Sequence, residues 1–103
     1  MLSRPKMDVV DLINAEIRQE TSSALGRIGR KLEAALEASR RLGEQLDVLG
    51  PGPERAAVFA RYELARQESE TFRYYLEVQR EAMGMRDQRL VHSLYPLPPR
   101  RLP

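Results

Sequence analysis

Few residues in this chain could do chemistry unaided. His92 is the single histidine and there is no cysteine. Thiol catalysis, disulfide pairing and cysteine-held zinc or iron–sulfur sites therefore have nothing to build on. A metal centre on a helical bundle needs several inward carboxylates and Glu-x-x-His ligands, and no Glu-x-x-His pair occurs. The carboxylates alternate with arginines instead: Glu37 with Arg41, Arg40 with Glu44, Arg66 with Glu70 and Arg73 with Glu77. That four-residue spacing makes ion pairs along a solvated helix face, each contributing about 0.2–0.5 kcal/mol. Ser39 and Ser69 are the serines that fall on the apolar seam, and no His or Lys base accompanies them there. They read as small residues bonding the carbonyl one turn back. His92 reads as a cation suited to a helix C-terminus. No catalytic, cofactor or metal residue is assigned, and the expectation is a protein that is not an enzyme.

Two strings could bind rather than react. Leu25-Gly26-Arg27-Ile28-Gly29-Arg30-Lys31-Leu32 resembles the hydrophobic-Gly-x-x-Gly-basic pattern of KH-type RNA-binding domains. Over those eight residues the resemblance implies a glycine loop clamping a nucleic-acid backbone. Such a domain also needs strands beside its helices, and Ile28 falls on an apolar helical period. The reading preferred here is therefore helix, with Gly26 and Gly29 at a close helix contact and Arg27, Arg30 and Lys31 as a basic patch able to hold an anion. The second string is Pro96-Leu97-Pro98-Pro99-Arg100-Arg101. Pro96, Pro99 and Arg101 fit the Pro-x-x-Pro-x-Arg pattern that polyproline-recognition domains of the Src-homology-3 type read. The competing and favoured expectation is a tail that is either packed back on its own helices, with Tyr95, Leu97 and Leu102 as apolar handles, or simply disordered. Nucleic acid is a poor general partner, because residues 7–85 carry eleven basic against fourteen acidic side chains and affinity for phosphates comes from clustered cations. Weak anion or nucleic-acid binding through the patch and the basic tail is the alternative function.

The elements that position these residues are marked by proline and glycine. The chain of 103 residues is one domain at most. Gly50-Pro51-Gly52-Pro53 divides it near the middle, and prolines crowd its end. The first segment opens with Asp8 as a candidate N-cap, Asp11 in the first turn and Met7 and Leu12 at staple spacing. Apolar residues recur at Val10, Ile13 and Ile17, slip register around residues 21–23, then run as Leu25, Ile28, Leu32, Ala35, Ser39, Leu42, Leu46 and Leu49. The second segment reads Val58, Tyr62, Ala65, Ser69, Phe72, Leu76, Gln79 and Met83. Alternating steps of three and four are the seam of packed, coiled-coil-like helices, and no segment alternates as a strand would. The expected organisation is a tail over 1–7, helix 1 over about 8–49, a turn at 50–53 with Gly50 as helix C-cap, helix 2 over about 53–92, and a Pro/Arg-rich tail over 93–103. Residues 21–23 and Gly84 are the soft spots.

A four-residue turn leaves only an antiparallel hairpin. Folding the chain there sets Leu46 against Val58, Leu42 against Tyr62, Leu32 against Phe72, Ile28 against Leu76 and Leu25 against Gln79. Ser39 and Ala35 then meet Ala65 and Ser69. Apolar surface remains beyond this seam. Helix 2 has a second row at Ala57, Leu64, Thr71, Tyr75, Val78, Ala82 and Met85, and helix 1 has one at Gly29, Leu36 and Gly43. A helix with a seam and a neighbouring row belongs in a bundle. The fold expected is thus all-α, an antiparallel helical hairpin dimerising into a four-helix bundle, with Leu36, Leu64, Tyr75, Val78 and Met85 at the interface. The function that follows is protein–protein interaction or self-assembly by an adaptor, chaperone-like or regulatory helical module, with a second copy or another helical protein as partner. No apolar run reaches the roughly 18 residues of a membrane span and no signal-like segment opens the chain, so a cytoplasmic location is expected.

Overall fold

The computed structural model describes the backbone of residues 9–103 and the side chains of 9, 11, 12 and 23–103. Readings that fall on Met7, Asp8, Val10, Ile13 and Ile17 lie outside the described residues. Among the described residues there are three helices: α1 (Val9–Val48), α2 (Pro53–Ala82) and a short α3 (Arg89–Leu94). The long helices pack against each other as a hairpin. The result is a rod of 79 × 21 × 19 Å with a radius of gyration of 20.3 Å, whereas a compact chain of this length would have about 13 Å. No described helix is long and apolar enough to cross a membrane.

The seam closes in two clusters separated by small residues. Leu42, Leu46, Val58, Tyr62 and Ala65 form one, with Ala38, Leu49 and Phe59 at its edge. Leu32, Leu76 and Val91 form the other, flanked by Leu25, Ile28, Leu36, Phe72 and Tyr95. Between them Ala35, Ser39 and Ser69 are buried. Each serine donates to the carbonyl four residues back, Ser39 to Ala35 and Ser69 to Ala65, both at 2.9 Å. That bond satisfies the hydroxyl inside its own helix, so the two backbones can approach without a stranded polar group.

The ends of the helices show what the spacing did not reveal. α1 runs unbroken through residues 21–23, so that stretch is no interruption of the backbone. Gly50 does not take the left-handed C-cap conformation. The last carbonyls of α1 are met instead from across the turn, where Arg55 Nη1 donates to Leu46 O at 2.6 Å and Leu49 O at 2.9 Å. A guanidinium there also complements the negative end of the helix dipole, which α1's own last turn leaves without a basic residue. α2 starts as expected, with Gly52 before Pro53 at the first helical position and Glu54 in the first turn.

The second helix ends at Ala82 rather than continuing to about residue 92. Gly84 has φ +85. Its N–H bonds Glu81 O at 2.9 Å, and the N–H of Met85 reaches Arg80 O at 2.9 Å. This pair of bonds is a Schellman cap, which needs a left-handed residue that glycine alone adopts freely. The chain then reverses. Gln88 ties the reversal down by donating to Glu77 O and Met85 O. α3 lays Val91 onto Leu32 and Leu76, so residues read as the end of helix 2 pack against the hairpin's flank.

Candidate functional site

The hairpin has two unlike faces, one covered by the chain's own C-terminus and one open. On the covered face, His92 in the last turn of α3 sets Nε2 2.7 Å from Glu77 Oε1. Beyond Leu94 the chain carries no helix or strand and runs back along the groove between α1 and α2. Arg73 Nη1 donates to Tyr95 O at 3.2 Å, and the Tyr95 hydroxyl points to Glu33 Oε1 at 3.4 Å. The buried Tyr62 donates its hydroxyl to Pro99 O. Arg101 Nη1 pairs with Asp47 Oδ1 at 2.5 Å, and its guanidinium carbon lies 5.5 Å from the centre of the Tyr62 ring. A space of about 480 Å³ remains between Leu36, Gly43 and Tyr62 below and the tail prolines above.

Gly43 and Leu36, expected at a partner interface, therefore sit under the tail. A Cβ on Gly43 would stand 3.0 Å from Arg101 Nη2, so glycine is what lets the arginine lie down. Gly26 and Gly29 are not at a close helix contact. A Cβ at Gly29 would meet nothing within 4 Å, and one at Gly26 would meet only its own neighbour Arg30, at 3.3 Å. The whole string 25–32 is helix, without the loop that the KH-like pattern implies. Arg27, Arg30 and Lys31 are exposed on it, and no ion pair among the described residues engages them.

The opposite side of α2 is the open face. Leu64 is 57% exposed, Tyr74 62%, Tyr75 50% and Val78 44%. At 100° per residue, Ala57, Leu64, Thr71, Tyr75, Val78 and Ala82 fall within a sector of about 60°. Tyr62, Arg73 and Glu77, which meet the tail and α3, lie on the other side of the seam. Met85 follows the end of α2 and is half-buried, so it is not part of this stripe. One turn before Leu64, Arg61 closes a second groove of about 470 Å³ with Ala34, Ala38 and Gln45 of α1.

All four ion pairs read from the spacing form: Arg40–Glu44 at 2.5 Å, Arg41–Glu37 at 3.0 Å, Arg66–Glu70 at 2.8 Å and Arg73–Glu77 at 3.8 Å. Glu37 is shared by Arg40 and Arg41, whose hydrogen bonds hold its carboxyl down to about 2. Arg66 is buried between Glu63 and Glu70, and its hydrogen bond keeps the Glu63 carboxyl below its ordinary value, with Arg100 of the tail adding to the effect. Among the described residues no three His, Asp or Glu side chains come together as a metal site would require.

Burial pushes the Tyr95 phenol above its ordinary value, and the nearby Glu33 carboxylate adds to the rise. The sign follows from linkage. The folded state favours the neutral phenol, so this contribution is whole below the ordinary tyrosine value and disappears as pH rises through the folded one. Tail docking is expected to weaken in that alkaline window. Ultraviolet titration of the native chain should show a late-ionising phenol component that is missing in Tyr95→Phe; a late component left unchanged by Tyr95→Phe would contradict it.

No protein-family model matches the chain, and no curated protein or solved structure matches it either. What the geometry defines by itself is a class: an all-α helical hairpin with one face closed by its own tail.

Proposed function

We propose that this protein is a non-enzymatic interaction module that self-associates through the open face of α2. The observation that carries this reading is the exposure of Leu64, Tyr75 and Val78 along one helix side. Apolar residues scattered over a surface need no explanation, but large ones aligned on one side of a helix favour a partner there. A second copy is the occupant of choice, because twofold self-association is the commonest oligomer symmetry and such an interface presents the same patch twice. The partner surface is narrower than the sequence suggested. Helix 1's row of Gly29, Leu36 and Gly43 contributes nothing to it where the tail lies, and α1 offers Ala34 and Ala38 instead. The four-helix bundle expected from the sequence is then two hairpins meeting α2 to α2, each with its tail outward. A different helical protein on the same stripe is the variant of this reading, and a cytoplasmic location suits either.

Leu64→Arg tests it. A buried, unpaired guanidinium in the centre of the stripe should weaken the dimer about a hundredfold, which is about 2.7 kcal/mol. Sedimentation equilibrium should show a dimer for the native chain and a helical monomer for the variant. A native chain that stays a folded monomer at high micromolar concentration overturns the self-association. Anion or nucleic-acid binding through Arg27, Arg30 and Lys31 is the rival, and Arg101 is already engaged by Asp47. A generic oligonucleotide bound with a steep salt slope would favour that rival, since each released counterion steepens the slope.

A further inference from the structure

The tail shows what its groove is built to hold. Pro96, Pro98 and Pro99 fix their own φ near −65° and steer the residues before them to extended backbone. The segment is thus pre-ordered toward polyproline II, a form that cannot satisfy its carbonyls internally. The groove supplies the missing donors: Arg73 to Tyr95 O and the Tyr62 hydroxyl to Pro99 O. Two residues beyond Pro99, Asp47 accepts from Arg101 at 2.5 Å, and the Tyr62 ring lies under the same guanidinium. Gly43 leaves the space in which that arginine lies flat. An aromatic hydroxyl for a proline carbonyl and a carboxylate for a trailing arginine are the chemistry by which extended proline-rich peptides are read.

We propose that the α1–α2 groove is a binding site for peptides of the pattern Pro-x-x-Pro-x-Arg, and that residues 96–101 are its resident occupant in cis. The ligand class is an extended, arginine-bearing proline-rich segment supplied in trans. Such a segment competes with the tail, which by tethering holds a local concentration in the millimolar range. A space of about 480 Å³ adjoins the docked tail between Leu36, Gly43 and Tyr62. This site lies on the face opposite the proposed dimer stripe, and either can fail without the other.

The probe is a fluorescein-labelled synthetic peptide of residues 95–103, and the protein is the full chain. Pro99→Ala with Arg101→Ala loosens the tail in cis while leaving the seam untouched. Fluorescence anisotropy should show the peptide binding this double variant at least about tenfold tighter than the native chain, as relief from a tethered competitor requires. Adding Asp47→Lys should remove that binding, and a peptide carrying Glu in place of Arg101 should restore it. The charge-swapped pair keeps the test valid if Asp47→Lys alone perturbs the fold, and circular dichroism checks each chain. Equal binding to the native chain and the double variant, no binding to the folded double variant at millimolar peptide, or no rescue by the swapped peptide each overturns the proposal.

Discussion

Tyr62→Ala lowers the unfolding free energy by about 3–5 kcal/mol, the range for removing a buried aromatic side chain, and frees the C-terminal segment in the same step. The size follows from position. Tyr62 is 1% exposed and sits in the cluster of Leu42, Leu46, Val58 and Ala65, where the hairpin closes next to its turn. Its hydroxyl and ring also hold Pro99 and Arg101. Tyr62→Phe separates the two roles. It keeps the ring and removes one hydrogen bond, at a cost of about 0.5–1.5 kcal/mol. Urea denaturation measures the first effect. Trypsin cleavage after Arg100 and Arg101, read by mass spectrometry, measures the second. Tyr62→Phe should raise that cleavage with little change in the urea midpoint, while Tyr62→Ala changes both. A Tyr62→Ala chain as stable as the native one would mean that the hairpin does not close here.

Much of this architecture can be read in the sequence, for a physical reason. A hairpin of two long helices buries one stripe from each, and steps of three and four mark such a stripe directly. Leu32, Ala35, Ser39, Leu42 and Leu46 on α1 and Val58, Tyr62, Ala65, Ser69 and Leu76 on α2 are all buried, and all lie on the periodic positions. Ion pairs four residues apart are equally local, and all four form. The stripe of Leu64, Tyr75 and Val78 is periodic too. What eluded the sequence depends on contacts distant along the chain. The cap on α1 comes from Arg55, whose guanidinium crosses the turn to Leu46 O, and no spacing rule announces it.

Gly84 is the instructive case. A glycine inside a helix and a glycine ending one look alike in sequence, because the residues after it, Leu90 and Val91, still fit a helical period. The choice is made by what the reversed chain buries. Val91 is 3% exposed once it lies on Leu32 and Leu76, a gain that a straight helix projecting into water would lack. The tail poses the same problem in another form. Its prolines foretell extended backbone but not the side on which it lies. That side is set jointly by the Tyr62 hydroxyl of α2 and by the Asp47 carboxylate and the space at Gly43, four residues apart on one face of α1. Read one helix at a time, Gly29, Leu36 and Gly43 look like a row waiting for another molecule.

Leu32 is where these long-range choices converge, and its truncation distinguishes them. Leu32 is fully buried and belongs to the cluster that joins all three helices. Leu32→Ala should cost about 2–5 kcal/mol, a large part of the roughly 5–15 kcal/mol that stabilises a typical domain. It should loosen the α1–α2 seam and the docked α3 together. Val91→Ala removes two buried methyl groups from the same cluster, worth about 0.8 kcal/mol each, but touches only α3. The two variants therefore separate hairpin from strap. Val91→Ala should expose the segment after Gly84 to protease while the long helices still melt close to the native temperature. Leu32→Ala should lower the melting temperature and expose that segment at once. If Val91→Ala instead destabilises the chain as much as Leu32→Ala, then α3 is no accessory: the short helix and the two long ones form one cooperative unit, and the hairpin stands only with its third segment in place.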